Sequence, residues 1–80
     1  MVTVRLFAAL RDAAGAPSVQ CEADTVLGLR IELATRFGEP MISRLTVSRV
    51  VVGEETFSPG EEGSIPPGAV VTVLPPFSGG

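Results

Sequence analysis

The segment at residues 25–37 restricts the possible folds of this chain more than any other feature of its sequence. Apolar residues recur in it at intervals of three and four, which places them along one side of an α-helix. The stripe consists of Val26, Leu29, Leu33 and Phe37, with Leu27, Ile31 and Ala34 beside it. Asp24 or Thr25 is suited to cap the start of the helix, and Gly38 and Pro40 are suited to end it. The sequence therefore predicts one long helix whose apolar side packs against other elements.

Strand patterns occupy much of the remaining chain. The opening residues alternate between two faces, which predicts a first strand with one face on the core. Val2, Val4, Leu6 and Ala8 face the core in this prediction, and Thr3, Arg5 and Phe7 face the other way. Further strands are predicted at residues 18–22, 46–52, 56–57 and 69–74. A short helix is predicted at 9–14, a short turn at 41–45, and a loop at 58–68 that Ile65 anchors to the core.

This order of elements predicts an α+β fold. One helix covers only one face of a mixed sheet of about five strands, and the economical arrangement places the first and last strands side by side and parallel. The predicted fold is a β-grasp, ubiquitin-like domain at residues 1–74 with one main helix, followed by a tail at residues 75–80. Phe7 and Leu74 then fall on the uncovered face, where Phe7 is either covered locally or is a contact for a partner.

The composition argues against several classes of function. The formal net charge is −3 and the six basic residues, all arginines, form no cluster, so binding of nucleic acid is not expected. No apolar run approaches the roughly 20 residues of a membrane span, and no signal-peptide pattern is present, so we expect a cytoplasmic protein without membrane contact. Histidine is absent, which removes the commonest general base and metal ligand. The single cysteine, Cys21, excludes a disulfide framework and a zinc motif and suits a buried position.

The last six residues are Pro75-Pro76-Phe77-Ser78-Gly79-Gly80. Prolines fix φ and lack an N–H group, so Pro75 and Pro76 cannot continue a central strand. Six extended residues reach about 20 Å, which is enough to enter the active site of another protein. Gly79 and Gly80 have no side chains and can pass through a narrow channel. The terminal carboxylate is therefore either a reactive group or part of a frayed end.

Both ends of the chain resemble a known family. The opening, Val4-Arg5-Leu6-Phe7-Ala8-Ala9-Leu10-Arg11-Asp12-Ala13-Ala14-Gly15, is similar to that of the small subunit of molybdopterin synthase. The ending, Leu74-Pro75-Pro76-Phe77-Ser78-Gly79-Gly80, resembles the ending of the same proteins. These MoaD-like proteins belong to the MoaD/ThiS family of ubiquitin-like sulfur carriers. The chain departs from their usual pattern at Val52-Gly53, at residues 66–69 and at Phe77, which is bulkier than the usual residue.

The resemblance implies a carrier rather than an enzyme, with no catalytic residue and no cofactor of its own. An E1-like adenylyltransferase would use ATP to adenylate the carboxylate of Gly80. A sulfur donor, which is a desulfurase or a rhodanese-like protein, would then convert it into a thiocarboxylate. The tail would next enter the large subunit of molybdopterin synthase, where the sulfur attacks a pterin precursor in the synthesis of the molybdenum cofactor.

Two other functions remain open on the sequence. One is a sulfur carrier for the thiazole of thiamine or for cysteine biosynthesis, with the same tail and another acceptor. The other is a β-grasp interaction module whose final Gly-Gly is incidental.

The candidate partner surface consists of Phe7, Leu74 and Phe77, with Arg11 at its rim or, alternatively, as a solvated charge at a helix end. The acidic residues Glu54, Glu55, Glu61 and Glu62 are either a solvated rim or a group that steers a basic partner.

Overall fold

The computed structural model describes residues 1–76 of the 80-residue chain. The elements, in chain order, are β1 (Val2–Leu6), α1 (Ala9–Ala14), β2 (Ser18–Cys21), α2 (Val26–Phe37), α3 (Met41–Thr46), β3 (Arg49–Val52), β4 (Glu55–Phe57) and β5 (Val70–Leu74). The predicted tail residues Phe77, Ser78, Gly79 and Gly80 lie outside the described residues.

The strands form one five-stranded sheet in the order β2-β1-β5-β3-β4. Strands β1 and β5 are parallel neighbours at its centre, and the remaining pairs are antiparallel. The predicted pairing of the first and last strands is therefore confirmed. The mixed sheet with its 12-residue helix α2 has the β-grasp, ubiquitin-like fold, and α1 and α3 add six residues each.

The core lies between α2 and one face of the sheet. The helix contributes Val26, Leu29 and Leu33, each 0% exposed, as its apolar spacing predicts. The sheet contributes the alternate residues Val2, Val4, Leu6, Val50, Val52, Val71 and Val73, and Cys21 is buried beside them as expected. Residue Ile31, by contrast, lies on the outer side of α2 and is 66% exposed.

The start of α2 is held by its cap and by the loop before β5. Thr25 is the N-cap, and its Oγ1 accepts a hydrogen bond from the Gly28 N–H at 3.0 Å. The Glu62 carboxylate accepts from the N–H groups of Leu27 and Gly63, each at 2.9 Å. Buried Ile65 anchors the same loop, as predicted, and its N–H donates to the Asp24 carbonyl at 2.8 Å. The loop and the helix start thus stabilise one another.

The strand predicted at 46–52 is wrong in its first half. The Arg30 guanidinium donates to the carbonyls of Leu45 at 2.7 Å and Ser48 at 2.9 Å. The Ser48 hydroxyl also donates to the Arg44 carbonyl at 2.6 Å. These bonds turn the chain between Leu45 and Ser48, so the predicted turn at 41–45 is the helix α3 and strand β3 starts only at Arg49.

Three other predicted strand limits are one or two residues too long. Strand β1 stops at Leu6 because Ala8 takes a φ of 53° and the Leu10 N–H donates to the Phe7 carbonyl at the start of α1. Strand β2 stops at Cys21 because the N–H groups of the next two residues donate to the Glu32 carboxylate. Strand β5 begins one residue late because the Ala69 N–H is bonded to a loop carbonyl.

No helix within residues 1–76 is both long enough and apolar enough to span a membrane.

Candidate functional site

One face of the sheet is not covered by a helix, and we call it the open face. Its residues are those that alternate with the core residues along each strand, since cross-strand partners share a face. They are Ser18 and Gln20 of β2, Thr3 and Arg5 of β1, Val70, Thr72 and Leu74 of β5, Arg49 and Val51 of β3, and Thr56 of β4.

Three large apolar side chains are exposed along this face. Phe7, which directly follows β1, and Leu74 are each 37% exposed, and Val70 is 57% exposed. The register that pairs Leu6 with Val73 brings Phe7 to the same end of the sheet as Leu74. The expectation that Phe7 and Leu74 are not core residues is therefore confirmed. Their role in binding a partner stays a prediction.

A groove of about 390 Å³ lies beside Phe7 at the β1 and β2 side of the open face. Its walls include Arg11 of α1, Arg5 of β1 and Pro17 before β2. The Arg5 guanidinium lies over the Phe7 ring, 5.6 Å from its centroid, which is within the range of a cation–π contact. The structure thus brings the predicted site residues Phe7 and Arg11 together, although Arg11 also stands in the last turn of α1.

Two arginines on the open face were not singled out by the sequence analysis. Arg49 is the direct cross-strand partner of Leu74, and Arg5 contacts Phe7. The alternation of β1 contained the signal for Arg5, since it placed Arg5 on the same face as Phe7. The sequence placed Arg49 within a predicted strand but not beside Leu74, because the register between β3 and β5 is not a local signal.

The tail leaves the sheet from the end of β5, beside the exposed apolar side chains. Pro75 is half-buried and Pro76 is exposed directly after Leu74. Because β1 and β5 are parallel, Phe7 and Leu74 mark the same end of the open face, and the tail starts there. Phe77, which the sequence analysis added to this surface, lies outside the described residues.

Cys21 is unsuited to transfer sulfur itself. Its side chain is 0% exposed, and burial together with the nearby Glu32 raises the pKa of the thiol to about 11. The thiol therefore stays protonated near neutral pH, and the thiolate is the nucleophilic form. Within residues 1–76, the carboxylates and this thiol form no group of three that could hold a metal ion.

The acidic residues of the loop before β5 have a structural use that the sequence analysis did not foresee. Glu61 accepts a hydrogen bond from the Ser58 N–H at 2.7 Å, and Glu62 binds the start of α2. The hydrogen bond from the Leu27 N–H is the main reason that the pKa of Glu62 lies below its usual value.

Solved structures of the same fold match nearly the whole chain. Mycobacterium tuberculosis CysO is 27% identical, with a TM-score of 0.78 over 96% of this chain and 100% of that one. A chain of the BexX/CysO complex from Amycolatopsis orientalis is 30% identical, with a TM-score of 0.79 over 100% of both chains. A Pyrococcus furiosus protein assigned as molybdopterin converting factor subunit 1 is 25% identical, with a TM-score of 0.75 over 95% of this chain and 97% of that one. A search of curated protein sequences found no significant match.

The family comparison covers almost every residue. The model of the ThiS family matches residues 4–80, which include all of the open face except Thr3, the two prolines and the final Gly79-Gly80. Proteins of the ThiS family are small sulfur carriers and are not themselves catalysts. The chain belongs to the ThiS family of ubiquitin-like sulfur carriers.

Proposed function

We propose that this protein carries sulfur as a thiocarboxylate on Gly80. The observation that supports this most directly is that the family match runs through residue 80, so the final Gly79-Gly80 falls inside the matched region. The position of Pro75 and Pro76 supports it as well, because they start the tail at the edge of an exposed apolar surface. A partner that docks on this surface would receive the tail at a defined point.

The chemistry begins with activation of a poor electrophile. A terminal carboxylate has a pKa of about 3.5 and is ionised at neutral pH, so it does not react with a sulfur nucleophile directly. An E1-like adenylyltransferase joins the Gly80 carboxylate to the adenylyl group of ATP and releases pyrophosphate. The persulfide of a desulfurase or rhodanese-like donor then attacks the acyl carbon, AMP leaves and an acyl disulfide forms. A second thiol attacks the donor's sulfur in this disulfide, so the thiocarboxylate is released as the two thiols are oxidised to a disulfide. ATP belongs to the activating enzyme, and the carrier acts as its co-substrate.

The first candidate acceptor is a pterin precursor bound to the large subunit of molybdopterin synthase. It rests on the similarity of residues 4–15 and 74–80 to the small subunit of that enzyme. In this role Phe7, Leu74 and Phe77 contact the large subunit, and Gly80 delivers its sulfur to the precursor within the active site.

The second candidate is a carrier for cysteine or thiazole biosynthesis. The observation that favours a different acceptor is the order of sequence identities. The two matches that concern CysO, at 27% and 30%, exceed the 25% of the molybdopterin converting factor subunit. Incubation of the thiocarboxylated protein with each acceptor system separates the two, because only the true acceptor consumes the thiocarboxylate and forms product.

Deletion of Gly80 tests the proposed chemistry. The shortened chain still ends in glycine, but its carboxylate lies about 3.5 Å short of the reacting centre. Displacement by even ~1 Å can cost a hundredfold in rate, so we expect pyrophosphate exchange with the activating enzyme to be abolished. Extension of the chain by one residue beyond Gly80 should have the same effect, and Gly79→Val should be nearly as damaging.

The control is the thermal stability of the same three variants. All three variants should melt at the wild-type temperature, because the core ends at Val73 and the changes lie beyond it. A protein that lacks Gly80 and still supports exchange at the wild-type rate would refute the proposal.

A further inference from the structure

Three arginines surround the end of the open face from which the tail leaves. Arg49 is paired with Leu74 across β3 and β5, and Arg5 lies over Phe7 on the opposite side of β5. Arg11 lines the groove beside Phe7. All three side chains are exposed, so positive charges flank an exposed apolar centre.

The charge on the open face is positive, whereas the net charge of the protein is negative. The whole chain has nine acidic residues and a net charge of −3. None of the strand residues on the open face is acidic, and two of them, Arg5 and Arg49, are basic. The acidic side chains therefore lie outside the strand residues of this face, with Asp12 next to Arg11 in α1.

Two of the three arginines on the helical side of the molecule are bonded within the fold, and the third, Arg44, has no side-chain hydrogen bond or ion pair among residues 1–76. Arg30 donates to two backbone carbonyls, and Arg36 donates to the Gln20 carbonyl and forms an ion pair with Glu32 at 3.9 Å. Within residues 1–76, Arg11 and Arg49 make no side-chain hydrogen bond or ion pair. Folding of the described residues thus leaves the guanidinium groups of Arg11 and Arg49 available for contacts with another molecule.

We propose that the open face docks on a partner protein whose surface presents carboxylates around an apolar centre. The partner's apolar residues pack on Phe7 and Leu74, and its Asp or Glu side chains pair with Arg11 and Arg49. The inference rests on the proposed function, because it gives the chemistry of the surface that receives the carrier. It also specifies that the partner surface is acidic, whereas the net charge of −3 on this chain would suggest a basic partner.

Screening by salt limits the electrostatic contribution to docking to those charges that lie close to the interface. At physiological ionic strength the screening length is about 8 Å, so exposed charges elsewhere on the carrier act weakly at this interface. Charges beside the contact are screened less as water is excluded. Pairs of this kind affect the association rate and the choice of partner more than the affinity.

A partner protein fits this surface better than a nucleic acid does. Binding to a phosphate backbone requires a stripe of basic residues, whereas these arginines flank an apolar centre and the chain as a whole is acidic. Arginine and aromatic residues are enriched together at protein interfaces, where apolar contacts lie at the centre and charged contacts at the rim.

The test uses an E1-like adenylyltransferase of the source organism that exchanges pyrophosphate in the presence of the wild-type carrier. Its Kd is measured at about 0.05 M and 0.5 M salt for wild type, Arg11→Gln, Arg49→Gln and the double variant. Arg44→Gln, an exposed arginine on α3 at the helical side, is the matched control. Pyrophosphate exchange at saturating carrier is measured in parallel, because the tail is intact in every variant.

We expect wild-type binding to weaken as salt increases. Each single variant on the open face should raise the Kd two- to fivefold at low salt, as for a rim ion pair of about 0.5–1 kcal/mol. The double variant should raise it about tenfold and lose most of the salt dependence, while Arg44→Gln stays within about twofold. Saturating exchange should be unchanged, since the arginines act in docking rather than in the reaction.

Three results would overturn the inference. The first is a double variant that binds with wild-type affinity and salt dependence, while wild-type exchange proceeds normally. The second is wild-type affinity that rises with salt, which indicates a basic partner surface. The third is tighter binding of a short RNA than of the enzyme to the open face. If no E1-like adenylyltransferase of the source organism exchanges pyrophosphate with the wild-type carrier, the proposed function is refuted instead, and the inference with it.

Discussion

At the scale of single residues, Phe7 marks the point at which the chain passes from the core to the surface. Phe7 is 37% exposed, its ring lies under the Arg5 guanidinium, and it borders a groove rather than the packed interior. Its neighbours Leu6 and Leu10 are buried, so the chain changes from core to surface within one residue. This exposure supports the proposal that Phe7 contacts a partner.

Replacement of Phe7 by alanine should therefore weaken partner binding by about 1 kcal/mol or more, as for an aromatic hot spot. The free energy of unfolding should change less, because the ring is only partly buried. A binding titration and a thermal melt of the same variant check this. The matched control is Ile31→Ala on the outer side of α2, which should leave binding unchanged. Unaltered affinity together with a collapsed melting temperature would assign Phe7 to the core.

Glu62 links the stability of the fold to pH. Its hydrogen bonds from Leu27 and Gly63 lower the pKa of the carboxyl in the folded state relative to the unfolded chain. A lowered folded-state pKa means that the contribution to stability is fully present above the unfolded value of about 4.3. It is lost as the pH falls through the lower folded-state pKa, because the protonated carboxyl binds the helix start less strongly.

We therefore expect the wild type to lose more stability than Glu62→Gln between about pH 5 and pH 3. Urea unfolding at several pH values measures this, and the two curves should converge at the acid end. Parallel curves for wild type and variant over the whole range would show that Glu62 is not responsible. The amide of glutamine keeps an acceptor oxygen in place, so the comparison isolates the charge.

At the scale of elements, helix α2 organises the domain. Its inner side supplies the largest part of the helical core, and its start binds the loop that leads to β5. Its middle holds the chain between α3 and β3 through Arg30, whose burial lowers the pKa of its guanidinium without removing the charge near neutral pH. The placement of β3 and β5, and hence of the open face, depends on this one helix.

Leu29→Ala or Leu33→Ala should destabilise the fold by about 2–5 kcal/mol, since each removes a fully buried side chain and leaves a cavity. In a domain of 80 residues such a loss can unfold the protein, so urea titration is the measurement. Ile31→Ala on the same helix should cost less than about 0.5 kcal/mol, because surface changes usually do. Losses below about 1 kcal/mol at both leucines would mean that the stripe does not face the core.

The elements were predicted unevenly from the sequence, for physical reasons. The period of α2 and its Thr25 cap are local signals, and both were sufficient to locate the helix. The segment Thr46 to Ser48 has the β-propensity of a strand but forms a helix end and a turn, because Arg30, from another element, binds its carbonyls. Local propensity does not contain information about a bond to a residue 15 or more positions away.

At the scale of the whole molecule, one face of the sheet packs on the core and the other is the open face. Alternation along β1 was sufficient to predict which face is covered and that Phe7 lies on the open face. The last strand is apolar on both faces, so the placement of Leu74 on the open face depended on the predicted parallel pairing with β1. The basic charge of that face was not foreseen, because it depends on the register that places Arg49 beside Leu74. The similarity at both ends of the chain predicted the MoaD/ThiS family, which the family match over residues 4–80 shows, while the role in molybdopterin synthase stays a proposal.

The central claim is that Gly80 carries sulfur, and the intact mass of the protein from its native host tests this most directly. The account predicts a fraction of molecules in which one oxygen is replaced by sulfur, with fragmentation placing the change at Gly80. The same host expressing the chain without Gly80 should give only the unmodified mass. Only unmodified protein in the wild-type sample, or sulfur located at any residue other than Gly80, would contradict the account.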